Sequence, residues 1–141
     1  MTRLQRERGS SGVQMAAGVL PLLALLVLVV AMFRAGRANM SVDAAAYDAA
    51  RAASIARTAD QAQADAARAA AASLTQQGLS CVSQSVSIDT SGFASPVGAP
   101  ATVRASVSCT ITAADLGYGI GGDRTYTATA VSALDTYRER R

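Results

Sequence analysis

The chain divides by pattern into three stretches. From Gly9 to Phe33, 25 residues carry no charge, and the central part "LLALLVLVVAMF" holds only Leu, Ala, Val, Met and Phe. A helix lying on a water-soluble core would show polar positions every third or fourth residue. None interrupts this run. At ~1.5 Å rise per residue it is long enough to cross a hydrocarbon core of about 30 Å. The pattern therefore predicts a transmembrane helix over residues 10–33, with Pro21 placed to kink it.

The next stretch, "SVDAAAYDAARAASIARTADQAQADAARAAAASLTQQG", reads as helix. Ala is the best helix former, and neither Pro nor Gly occurs until Gly78, which suits a C-terminal cap. Val42, Ala46, Ala49, Ala53 and Ala56 form a narrow face of small side chains that permits close approach of a helix or sheet. Asp48–Arg51, Arg57–Asp60 and Asp65–Arg68 stand at i,i+3 spacing. Each such pair contributes a few tenths of a kcal/mol at most. The Ala-rich helix follows the span almost directly, so one long helix, straight or bent, is predicted from Ser10 to Gln77.

Beyond Gly78 the period shortens to two. Val82, Gln84, Val86 and Ile88 alternate, as do Ala101, Val103, Ala105, Val107, Cys109 and Ile111, and then Tyr126, Ala128 and Ala130. These read as three strands of an antiparallel sheet with one covered face. The connection "DTSGFASPVGAP" joins the first two. The fold class predicted is thus α+β. A basic leader covers 1–9, a transmembrane helix 10–33, an Ala-rich helix 34–78 and an extracytoplasmic antiparallel β-domain 79–141.

Charge refines the picture. The net charge is +3, and all 13 basic residues are Arg. Residues 1–34 hold four Arg against Glu7, whereas residues 35–141 hold nine Arg against nine acids. The basic excess flanks the apolar run, and no basic patch is left for nucleic acid on the folded part. Arg3, Arg6 and Arg8 before the span, against Arg34 and Arg37 after it, favour a cytoplasmic N-terminus. Cys81 and Cys109 both lie beyond the span, where an oxidised pair is expected outside the cytoplasm. Cleavage as a secretory signal after the run is disfavoured. The run exceeds the roughly 7–15 residues of such apolar regions, and Arg34 and Arg37 stand where uncharged residues are needed.

Cys81 and Cys109 are read as a disulfide, with two unpaired thiols as the alternative. Direct opposition of the two would centre the connecting loop on Ser95 and set Val82 against Ser108, misaligning the apolar faces. A bulge, or a Cys81 lying just before its strand, would remove the conflict.

Candidate chemistry is sparse. The chain has no His and no Lys, so its serines lack a general base, and two cysteines without His do not make a zinc site. "GYGIGG" at residues 117–122 matches G-x-G-x-x-G by letter. The phosphate-binding version needs a strand before it and a helix after it, and here the order is reversed, so a turn is expected. Asp89, Asp115, Asp123 and Asp135 fall near turns and strand ends. No catalytic residue, metal, cofactor or small-molecule substrate is expected.

The N-terminal stretch is more specific. A short basic segment, Gly9, then Ser10-Ser11-Gly12-Val13-Gln14 and an apolar helix resembles a type IV pilin-like leader. More closely, "RGSSGVQMAAGVLPLLALL" is similar to the start of TadE-like proteins, minor pilin-like components of Tad/Flp pilus systems. These commonly read R-G-x-x-x-V-E-x-A-L-x-L-P. The tail "DRTYTATAVSALDTYR" resembles the end of actinobacterial members. The resemblance implies a pilin-like fold and cutting between Gly9 and Ser10 by a prepilin-type membrane peptidase, with the apolar helix retained. It implies other pilus components or a major pilin as partners, in a minor pilin or assembly role tied to secretion. Gln14 stands where the family pattern has Glu, the carboxylate that pairs with a neighbour's new N-terminal amine. Gln14 can accept a hydrogen bond but cannot neutralise that amine. The reading from another class is a single-span extracytoplasmic binding or scaffold protein outside any pilus.

Overall fold

The computed structural model describes residues 8–116 and 122–136, with side chains from Gly18 onward. It is α+β: helix α1 (Arg8–Ile55), helix α2 (Ala59–Gln76), and a sheet of β1 (Ser83–Asp89), β2 (Thr102–Ile111) and β3 (Arg124–Ala133). A short 3-10 turn, Ser91–Ala94, interrupts the β1–β2 connection.

The expected single helix is two. Residues 56–58 break it, and α2 turns back along the second half of α1. The cause is local. Thr58 adopts extended backbone and its hydroxyl accepts from the Gln61 N–H at 3.2 Å, capping α2, with Asp60 in the first turn. Thr58-Ala59-Asp60-Gln61 is the T-x-x-Q spacing of a capping box, a helix start that the Ala composition around it hides. The far end stops as expected at Gly78. Its φ of +69° is a left-handed conformation that glycine adopts without steric cost. The Leu79 N–H reaches the Leu74 carbonyl and the Gly78 N–H the Thr75 carbonyl, each at 3.0 Å, closing the last turn.

The sheet is an antiparallel meander in the order β1-β2-β3. Val86 faces Val107 and Ile88 faces Ala105 across β1–β2, while Cys109 faces Tyr126 and Val107 faces Ala128 across β2–β3. One face therefore collects the apolar residues and meets the helices, α1 against β2 and β3 and α2 against β1. Gln63 of α2 donates its amide to the Val86 carbonyl at 3.0 Å. The other face is hydroxyl-rich. Ser85 and Ser108 are joined at 2.7 Å, Thr110 and Thr125 at 2.8 Å, and Thr129 donates to Ser106 at 3.3 Å.

The core is mostly alanine. Val42, Ala46, Ala49, Ala53 and Ala56, the small-residue face of α1, are all buried, and Ala62, Ala66 and Ala70 answer them on α2. The largest fully buried side chains are Leu74, Ile111, Val42, Val103, Val107 and Cys109. Alanine permits close approach but buries little area, so the core is modest for its length. Of the three i,i+3 charge pairs only Asp65–Arg68 forms an ion pair. Arg57 sits in the break, off both helices.

Candidate membrane anchor and processing site

Among the described side chains, α1 is exposed over nearly all of Val19–Phe33. The large apolar residues from Val19 to Phe33 are 44–69% exposed, in contrast to the buried face that begins at Ala38 and Val42. A contiguous apolar surface of this size marks contact with lipid or another protein. It is the one helix among the described residues long and apolar enough to cross a membrane, and it lies near the N-terminus. Ala31 departs from the pattern and is buried. Pro21 lies inside α1, which continues helical on both sides of it.

The expected processing residues Gly9 and Ser10, and Gln14 after them, belong to the first turns of α1. Their side chains lie outside the described residues. So do residues 117–121 of the "GYGIGG" stretch, whose last glycine, Gly122, precedes β3.

Cys81 and Cys109 form a disulfide, with their Cα atoms 5.3 Å apart. The register conflict resolves as Cys81 lying just before its strand. β1 starts at Ser83, and Cys109 faces Gln84 across the ladder instead of Cys81. The Val82 N–H still donates to the Thr110 carbonyl at 2.8 Å, so the chain enters the sheet directly after the bridge. The bridge ties the α2–β1 connection to the covered face of β2, where Cys109 is fully buried.

The acids behave as solvated groups. Asp89, Asp115, Asp123 and Asp135 are all exposed. Asp89 ends β1 and accepts from the Ser91 N–H at 3.0 Å. Hydrogen bonds from the Ser91 hydroxyl and backbone, with Arg104 nearby, hold its carboxyl below the usual range. No group of three or more metal-ligating side chains occurs among the described residues.

Two features escaped the sequence pattern. Leu116 and Leu134 lie beyond the strand ends yet are buried, closing the core beneath the sheet. Arg34 and Arg37 count in sequence only as flanking charges. In the fold they line a cavity of about 300 Å³ at the end of the exposed apolar half. The available signal was spacing: Arg34 and Arg37 are i,i+3 neighbours and stand i,i+4 from Ala38 and Ser41, so all four share one face of α1.

Comparison with protein-family models, curated proteins and solved structures finds no match.

Proposed function

We propose that the protein is a TadE-like minor pilin or pilus-assembly protein. In this reading α1 is anchored in the cytoplasmic membrane, with its N-terminus cytoplasmic and the α2–sheet unit outside. The observation that carries it is the division of α1. One helix of 48 residues has an exposed apolar stretch over Val19–Phe33 and, without a break, a second half packed on a small antiparallel sheet. A pilin-like component needs both: a helix to sit in lipid or against neighbouring helices, and a folded head rigidly attached to it. The leader "RERGSSGVQ" supports the same reading, as does a disulfide in the head, which suits an oxidising compartment. The role is structural, in assembly with other pilus components, and the prepilin-type peptidase is the enzyme that meets the chain.

Processing supplies the test. Intact-mass measurement of the protein extracted from its native membrane is expected to place the mature N-terminus at Ser10 with the apolar helix retained. A chain beginning at Met1 or Thr2, or after Ala38, would contradict this.

Gln14 favours the second reading, a membrane-tethered scaffold that never enters a filament. Hydrogen bonding by a polar side chain within membranes averages ~0.6 kcal/mol. A carboxylate facing a partner amine would bind more strongly, but in lipid it is costly. Gln14→Glu therefore raises co-purification of pilus components if a partner amine is present. Equal or lower recovery favours the tethered scaffold.

A further inference from the structure

The cavity beside Arg34 and Arg37 lies where α1 leaves the exposed apolar segment and enters the folded unit. Its walls include Arg34, Arg37 and Ser41 of α1, Gln77 at the end of α2, Ser80 in the α2–β1 connection, and Asp115 in the turn after β2. A second depression of about 230 Å³ shares Arg37, Ser41 and Gln77 and extends the space toward Met40. Positions 34, 37, 38 and 41 continue the stripe that higher on α1 holds Val42, Ala45 and Ala49. Ala38 and Ser41 on that stripe are still buried, and Arg34 and Arg37 stand exposed beside them at its lower end.

Neither Arg forms an ion pair among the described residues. Asp115, the acid in the cleft, forms no ion pair with either of them, and its carboxylate accepts from the Thr112 hydroxyl at 2.7 Å. Gln77 is also committed, donating to the Ser41 carbonyl at 3.4 Å and the Ser73 hydroxyl at 3.2 Å, which holds the two helices together at this end. The cleft thus has two cations against one acid. An ordinary flanking Arg reaches into open interfacial water. These two, though exposed, also line a concave space of about 300 Å³ with both polar and apolar walls, large enough for a headgroup.

We propose that this cleft binds the phosphate of an anionic phospholipid in the outer leaflet, with Arg34 and Arg37 as donors. The proposal rests on the membrane-spanning reading of α1. Arg34 directly follows Phe33, the last residue of the uncharged run, so the cleft sits at headgroup depth. Guanidinium groups match phosphate oxygens in a planar, two-bonded geometry. A basic residue near a lipid surface is worth roughly fivefold in affinity for anionic lipid.

The test uses the full chain in detergent, given dioleoyl phosphatidylglycerol or dioleoyl phosphatidylcholine and examined by native mass spectrometry. The wild type is expected to retain one phosphatidylglycerol per chain, up to about 25-fold in preference to phosphatidylcholine if both Arg contribute in full. R34Q/R37Q is expected to bring retention of both lipids to one level, and R68Q, on the outer surface of α2, to leave the preference intact. Equal retention of the two lipids by wild type, or an unchanged preference in R34Q/R37Q, overturns the proposal. A parallel arm adds inorganic phosphate alone. Arg-dependent phosphate binding without lipid preference would assign the cleft to free phosphate and overturn the lipid assignment. Carbonate extraction of each variant from membranes separates the two readings. A chain that stays in the pellet but shows no lipid preference refutes only the headgroup site, whereas release into the supernatant refutes the membrane span itself.

Discussion

Removing the disulfide tests how much of the folded unit is held by covalent closure and how much by its alanine core. Cys81 and Cys109 are 28 residues apart in sequence. On the chain-entropy model, closing a loop of that length restricts the unfolded chain by ~3.5 kcal/mol at 25 °C. The buried apolar contacts are few large side chains and many alanines, so this is a large share of a typical margin of roughly 5–15 kcal/mol. C81A/C109A is expected to melt about 15–20 °C below the oxidised wild type, from the entropy of unfolding of a unit near 100 residues. The assay is thermal unfolding of the full chain in detergent, followed by near-ultraviolet circular dichroism of its tyrosines. Reduced wild type is the control that matters. It keeps both sulfur atoms, so its shift reports loop closure alone, and any extra shift in the alanine variant reports the hole left at buried Cys109. If reduced wild type and C81A/C109A both melt within about 3 °C of the oxidised protein, the loop-closure reasoning is wrong. The core would then carry stability that its composition does not suggest.

Gly92 has no room for a side chain: a Cβ there would meet the Thr102 carbonyl at 2.3 Å. Gly92→Ala is therefore expected to displace the β1–β2 connection and cost about 1–3 kcal/mol, measured by the same melts. Thr58→Ala removes the acceptor for the Gln61 N–H and is expected to cost ~1 kcal/mol, with faster amide exchange confined to the first turn of α2. Asp89 has a folded pKa below its unfolded value, so its contribution is present above the unfolded pKa and is lost as pH falls through the folded one. A carbon-detected titration should show Asp89 below an ordinary Asp, and Ser91→Ala should return it part of the way. An unmoved midpoint in Ser91→Ala would show that the Ser91 hydroxyl does not set it.

The strands were legible because alternation is a two-residue signal and the covered face is nearly pure: Val103, Ala105, Val107, Cys109 and Ile111 all turn inward. Their pairing was less so. A disulfide fixes proximity but not register, and Cys81 reaches Cys109 from outside the ladder. The helix break failed for the opposite reason. Alanine fits either side of a break equally well, so composition is silent there, and only the Thr58–Gln61 spacing marks the start of a new helix. Gly78 was legible because its conformation is one that other residues resist. Of the Arg34–Arg37 cleft only the α1 wall was legible, as a shared helix face with Ala38 and Ser41, because its other walls come from residues 77–80 and 111–116, brought together only by folding.

The uninterrupted course of α1 makes the molecule a lever. In the membrane-anchored reading the pivot lies at Phe33, and Ile55 stands 22 residues beyond it, roughly 33 Å along the axis. A tilt of about 10° in the lipid therefore sweeps the far tip through roughly 6 Å, the length of about one helical turn. Bilayer thickness, or the packing of a neighbouring helix, is thereby converted into the position of the α1–α2 corner without any internal rearrangement of the head.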